Sequence, residues 1–316
     1  MNRTLPRRRL FASSAVLALA LTAACGGNSG SGSEKELSGE VKVDGSSTVF
    51  PLTSAASELF AEEQPKVKVP VGESGTGGGF EKFCNGETDI SDASRPIKDE
   101  EKAACEAKGI KYAELIVAND ALTVVVNKDN AFVDCLTVDQ LKTLWQPNSA
   151  VKTWNQVDPQ FPAQPIKLFG PGTDSGTFDY FTAEINGKEG ASRTDYTPNE
   201  NDNLLVQGVA GDKNALGYFG YTYFEENKDK LKAVKIDGGE GCVEPNTETA
   251  QSGKYKPLAR PLFIYVSDKA VQREEVKSFV DFYIENIDEV VKEAKYVPLT
   301  AEQKAKLDGE YTTLKG

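Results

Sequence analysis

Histidine is absent from the 316-residue chain, and methionine occurs once. Without histidine there is no Ser-His-Asp triad, no Cys-His dyad and no His-ligated zinc or iron centre. Basic residues are also in short supply, 36 Lys and Arg against 48 Asp and Glu, for a formal charge of −12. A nucleic-acid binder needs a basic face to displace counterions, so no nucleic-acid partner is expected. The aromatic residues are too ordinary in number to mark a stacking platform, and no cofactor is implied. What remains, 39% hydrophobic and 27% charged, is the composition of a soluble globular protein.

The amino terminus reads as an export signal. Arg3, Arg7, Arg8 and Arg9 precede the uncharged run Leu10 to Leu21. That run falls short of the about 20 apolar residues that span a bilayer but suits a signal-peptide core. It closes on Leu21-Thr22-Ala23-Ala24-Cys25, and Gly26 to Ser33 then alternates Gly and Ser with one Asn. Small residues before a single Cys, followed by a flexible tether, resemble a bacterial lipobox, with Thr22 where a large aliphatic residue is usual. The expectation is a signal peptide over 1–24, a lipidated Cys25 with its tether over 25–36, and an extracytoplasmic chain that meets the membrane through its lipid alone.

Four further cysteines remain: Cys84, Cys105, Cys135 and Cys242. An even number in an exported chain points to disulfides, with three possible connectivities. A metal site is the competing reading, but no pair has C-x-x-C spacing and no His could complete one, so none is expected. Pairing Cys84 with Cys105 and Cys135 with Cys242 keeps each bridge inside one lobe of the architecture below.

One device recurs four times. Leu37 to Asp44 reads as a strand entering Gly45-Ser46-Ser47-Thr48, with a helix over Pro51 to Glu63; Lys66 to Val71 leads into Gly72-Glu73-Ser74-Gly75-Thr76 and a glycine run. Thr88 to Ile90 leads into Ser91 to Pro96, with a helix over Lys98 to Lys108; Ile166 to Phe169 leads into Gly170 to Thr177, with a helix from Phe178. The first N–H groups of a helix lack intrahelical partners and sit at the positive end of its dipole, where they bind anions. Ser and Thr hydroxyls add donors without charge. One such loop alone is plain helix capping; four, all rich in hydroxyls, read as walls of one site for a small oxyanion. Ala121 to Asn127 and Pro261 to Ser267 are continuous apolar runs, expected of strands buried on both faces. They are placed to carry the chain between two lobes, and Asp281 to Lys295 reads as one amphipathic helix.

Enzyme readings fail on their motifs. Gly72-Glu73-Ser74-Gly75-Thr76 misses the last position of G-x-S-x-G, and Gly75 to Phe80 misses the sixth position of G-x-G-x-x-G.

The strings Gly45-Ser46-Ser47-Thr48-Val49-Phe50-Pro51-Leu52, Ser74 to Phe80, Asp89 to Pro96, Pro171 to Phe181, Ser192 to Tyr196, Val206 to Val209 and Leu216 to Tyr221 stand in the order of a known family. The chain resembles the phosphate-binding lipoproteins of Pst-type ABC importers, in the periplasmic binding protein superfamily. The resemblance implies an α/β, two-lobed type II (Venus-flytrap) fold, with two α/β lobes joined by two crossover strands. It places one lobe over 37–117 plus 260–316 and the other over 118–259. It also implies a monomer, with no enzymatic activity, that captures inorganic phosphate and hands it to an ABC importer permease. Another tetrahedral oxyanion such as sulfate or arsenate, or a surface sensor without a transport role, stays open as the alternative. Carried onto this chain, the site comprises Ser46, Ser47 and Thr48; Ser74, Gly75 and Thr76; Ser94; and, from the second lobe, Ser175, Gly176 and Thr177.

The chain departs from the family's pattern in two places. Arg95 stands where an Asp is usual, and Pro171-Gly172 where an Arg precedes the Ser-Gly-Thr loop. The expectation is that Arg95 supplies the missing guanidinium, the alternative being a surface Arg held extended by Pro96. Asp92 either accepts a hydrogen bond from protonated phosphate or pairs with Arg95. Asp174 either orients the Ser175 loop or caps the helix. Arg193, Asp195 and Asn201-Asp202-Asn203 fall near the cleft, the last as a helix N-cap.

Overall fold

Apolar patterning sets where this chain pairs its strands, and its two most hydrophobic runs pair with each other. The computed structural model describes residues 37–315. The expected signal over 1–24, Cys25 and the tether over 25–36 lie outside them. Tyr112–Asn127 is one continuous strand, antiparallel to Ala259–Ser267 from Tyr112 opposite Ser267 to Ala121 opposite Ala259. The long strand begins well before the expected Ala121, because Asn119 and Asp120 break the apolar run without breaking the backbone ladder.

These two strands anchor a nine-stranded sheet. On one side Ile90–Ala93 pairs antiparallel with Ala259–Ser267, and Val43–Gly45 and Val71–Gly72 follow in parallel. On the other, Ala215–Gly220 pairs antiparallel with the second half of the long strand, and Lys167–Gly170 and Thr197–Pro198 follow in parallel. Parallel neighbours need crossover helices, which cover both faces of the sheet.

Among the described residues four apolar cores result, two per lobe. In the first lobe Leu52, Phe60, Leu115, Ile264, Phe279 and Tyr283 fill one face under Phe50–Glu63 and Glu274–Glu285. Phe80, Phe83, Phe263 and Tyr265 fill the opposite face under Gly75–Cys84 and Asp99–Ala107. In the second lobe Trp145, Trp154, Phe181 and Tyr218 pack on one face, with Phe181 stacked on Tyr218 at 3.8 Å, and Leu205, Val206 and Phe219 pack on the other. The fold is α/β and two-lobed.

Several expected elements shift. The strand over 37–44 is two short strands, Gly39–Glu40 and Val43–Gly45, and that over 66–71 splits into Val67–Lys68 and Val71–Gly72. The helix expected from Phe178 starts at Gly176. The single helix over 281–295 is two, Glu274–Glu285 and Ile287–Glu293. They break at Asn286, whose side-chain amide donates to the Phe282 carbonyl at 3.0 Å and so competes with the helical backbone. A last helix, Ala301–Lys315, escapes periodicity because it buries only Leu307 and Tyr311. A capping box starts it: Thr300 Oγ1 accepts from Gln303 N at 3.1 Å, while Gln303 Oε1 accepts from Thr300 N at 2.9 Å.

Cys84 bridges to Cys105, tying the two helices over the second face of the first lobe. Cys135 bridges to Cys242 across 107 residues, within the small sheet of Cys135–Thr137, Lys235–Asp237 and Cys242–Val243. This is the pairing that keeps each bridge in one lobe. The longer loop constrains the unfolded chain more. Replacing Cys135 and Cys242 by Ser together is expected to cost about 2–5 kcal/mol of unfolding free energy, measured by urea titration under non-reducing conditions.

Candidate functional site

The first loop leaves Val43–Gly45 and turns into the helix Phe50–Glu63. Ser46 N donates to Asp92 O at 3.0 Å, and Ser46 Oγ accepts from Thr48 N at 3.2 Å. Pro51 sits in the first helical turn, where its missing N–H leaves no bond unmade. The second loop enters the helix Gly75–Cys84, which lies against the first: a Cβ on Gly79 would come within 2.6 Å of Gly45 Cα. Gly79 thus serves helix–strand packing rather than close approach to a ligand. Thr76 Oγ1 accepts from Ser94 N at 3.2 Å and lies 3.1 Å from Ser94 Oγ, so the second and third loops are stitched together.

The fourth loop comes from the other lobe. Ser175 Oγ accepts from Thr177 N at 3.2 Å and caps the helix Gly176–Asn186. Gly176 meets the first loop directly: Thr48 Oγ1 donates to its carbonyl at 3.4 Å, and a Cβ there would lie 2.6 Å from Thr48 Oγ1. Any side chain at this position would hold the two lobes apart.

Between the loops is a cavity of about 390 Å³. Of the expected residues, Ser46, Ser47, Thr48, Ser74, Gly75, Thr76, Ser94 and Gly176 all line it, as does Asp174. It opens, past shared walls at Ser74, Tyr180 and Arg260, into an outer cleft of about 1000 Å³.

Four expected residues sit elsewhere. Arg95 lines only the outer cleft, where its guanidinium grips Glu101 through two hydrogen bonds of 2.8 and 2.7 Å. Asp92 neither faces the cavity nor pairs with Arg95; it is fully buried behind the first loop and accepts from Thr53 Oγ1 at 2.9 Å. Ser175 points its hydroxyl at the helix cap, and Thr177 lines a separate cavity with Asp120, Tyr221 and Tyr296. Arg193 is a structural clamp in the second lobe, bonded to Asp195, Leu144 O and Val151 O, and Asn201 caps its helix by accepting from Asn203 N at 3.0 Å.

Sequence reasoning missed Arg260. It is the one basic side chain among the described residues lining the inner cavity. Its Nη2 donates to Thr48 Oγ1 at 3.1 Å, its Nε to Asp120 Oδ2 at 3.3 Å, and its guanidinium lies 3.5 Å over the Tyr180 ring. Arg260 and Asp120 are direct cross-strand partners. A charge of each sign, set in two strands otherwise buried on both faces, was the available signal, since such residues persist only when paired.

The cavity is not uniformly positive. Glu73, Asp174, Asp179 and Glu189 also line it. Burial, reinforced by Glu189, pushes the Asp179 carboxyl up to about 6 against the pull of Arg260. Burial raises Asp44 too, but hydrogen bonds from Lys82 and Ser74 outweigh it and hold that carboxyl below its ordinary value. Among the described residues no group of three or more Cys, Asp or Glu is placed to hold a metal ion. Hydroxyls, helix N-termini and one guanidinium equip the cavity to hold a small anion.

The sequence matches the family description "PBP superfamily domain" over residues 30–286. It is 50% identical over 264 residues to Protein SphX of Synechococcus elongatus, covering 83% of this chain and 78% of that protein. It is 44% identical over 306 residues to the phosphate-binding protein PstS of Staphylococcus saprophyticus, covering 95% and 94%. The crystal structure of a possible phosphate binding protein from Planctomyces limnophilus superposes with a TM-score of 0.85 at 50% identity, covering 89% of this chain and all of that one.

Burial pushes the Asp92 carboxyl up to about 8, against the hydrogen bond from Thr53 and with the help of Asp44. An unfolded Asp loses its proton near about 3.9, so between the two values the native state holds more protons and stability falls as pH rises. Asp92→Asn is expected to flatten the decline between about pH 4 and 8, and urea midpoints at pH 5 and pH 8 measure it.

Proposed function

The chain belongs to the PBP superfamily, within the PstS group of phosphate-binding proteins, and on that premise we propose that it captures inorganic phosphate between its lobes and delivers it to an ABC importer permease. It is a substrate-binding protein of the extracytoplasmic kind and not an enzyme. The observation that carries the reading is the convergence of hydroxyl-bearing loops from both lobes on one cavity with a guanidinium in its wall.

Ser46, Ser47, Thr48, Ser74, Thr76 and Ser94, with the helix N-termini at Gly75 and Gly176, form the shell around the anion. Arg260 supplies the countercharge that Arg95 was expected to bring, because a dianion desolvated with no cation beside it is costly. Arg95 stays on the rim with Glu101. The lobes close about residues 118–121 and 259–262, where the paired strands pass from one lobe to the other. The ligand favours closure because donors from both sides reach it only there. Lipidation at Cys25 anchors the monomer to the membrane; among the described residues no helix is long and apolar enough to cross one.

Isothermal titration of the protein with phosphate is expected to show one site. The double variant Arg260→Ala/Asp120→Asn, which leaves no buried carboxylate unpaired, is expected to bind at least about tenfold more weakly. Absence of phosphate binding would overturn the reading, and unchanged affinity in the variant would remove Arg260 from it.

A further inference from the structure

Ser74 lines the inner cavity, yet its hydroxyl is engaged from behind. Asp44 Oδ1 accepts from Ser74 N at 3.1 Å and from Ser74 Oγ, and Asp44 Oδ2 meets Lys82 Nζ at 2.5 Å. A carboxylate has no proton to give, so the hydrogen shared between Asp44 and Ser74 belongs to the serine. Lys82 and Ser74 together keep Asp44 in that ionised form against the cost of burial. Gly78 leaves the serine oxygen its place beside Asp44, since a Cβ there would lie 2.8 Å from it. Ser74 is the N-cap residue of its helix and makes no side-chain cap bond there, so neither of its lone pairs is spent on the helix.

We infer that Ser74 presents lone pairs rather than a proton to the bound anion, and that Asp44 is the positioning residue that sets this polarity. The inference rests on the phosphate reading and deepens it. Phosphate near neutral pH keeps at least one P–OH, which can donate to the Ser74 oxygen. Sulfate has no proton there and would face it lone pair to lone pair, which is discrimination by a repulsive element. Arg95 occupies the position where the resemblance expects an acidic acceptor, and a serine backed by a carboxylate does the same work. Glu73, Asp174, Asp179 and Glu189 also reach the cavity, but Asp44 does not line it. A change at Asp44 therefore alters hydrogen-bond polarity in the cavity only through Ser74.

The experiment is titration of wild type, Asp44→Asn and Ser74→Ala with phosphate and with sulfate. In Asp44→Asn, with the side-chain oxygen kept on Lys82, the Ser74 N–H loses its acceptor and the amide donates to the Ser74 oxygen, which turns the serine proton into the cavity. The ratio of phosphate to sulfate affinity is then expected to fall at least about tenfold, the value of one hydrogen bond to a charged group. The titrations are run at a pH where phosphate is the monohydrogen dianion, so that loss of one buried negative charge favours both dianions alike and cancels in the ratio. Ser74→Ala is expected to weaken phosphate and leave sulfate unweakened. An unchanged ratio in Asp44→Asn, or equal weakening of both anions in Ser74→Ala, overturns the inference while the phosphate reading stands. Wild-type protein that binds no phosphate overturns both. Should Asp44→Asn fail to fold, Ser74→Ala decides alone.

Discussion

A guanidinium and a carboxylate face each other where the two long strands pass between the lobes. Arg260 and Asp120 are cross-strand partners, both largely buried, and neither could sit there alone. Burial raises the Asp120 carboxyl, and Arg260 offsets that in part by charge and hydrogen bond. The pair fixes the guanidinium over Tyr180 on the second lobe and against Thr48 on the first. A single charged group thus sits on the paired strands and reaches both lobes and the inner cavity. Tyr296 adds a second tie, donating to the Thr48 carbonyl at 2.6 Å, so the first loop is held by groups distant in the chain.

The rest of the site is a consequence of loop geometry. Strands that end at a common sheet edge release their loops on the same side, and the helices that follow aim their N-termini into the gap. The uncharged donors come from these loops, and the acidic net charge of the chain does not prevent local recognition. Short-range hydrogen bonds decide affinity, whereas the field of the whole molecule mainly affects the rate of encounter.

Most of this architecture could be read from residue order. The strand–loop–helix repeats, the apolar crossover strands and the two disulfides each leave a local or compositional mark. Boundaries were less legible, for stated reasons: Asn119 and Asp120 look like a strand end but lie inside a ladder, and Asn286 divides a helix whose apolar spacing runs on past it. Within the site, the hydroxyl loops were legible because their function and their capping role share one motif. The charged residues were not. Arg95 and Arg260 each stand next to a proline in an exposed or apolar stretch, and only the fold shows that Glu101 occupies the first while Thr48 and the cavity receive the second. Asp44 reads as the end of a strand, and its hold on Ser74 spans 30 residues that sequence spacing does not connect.

The claim beneath all of this is that one tetrahedral anion sits in the inner cavity, in contact with both lobes and with Arg260. A crystal structure of the protein grown with phosphate tests it most directly. The account predicts the anion within hydrogen-bonding distance of the Arg260 guanidinium, of the first and second loops and of the backbone at Gly176. Phosphate bound beside Arg95 in the outer cleft, with the inner cavity filled by water, would contradict it.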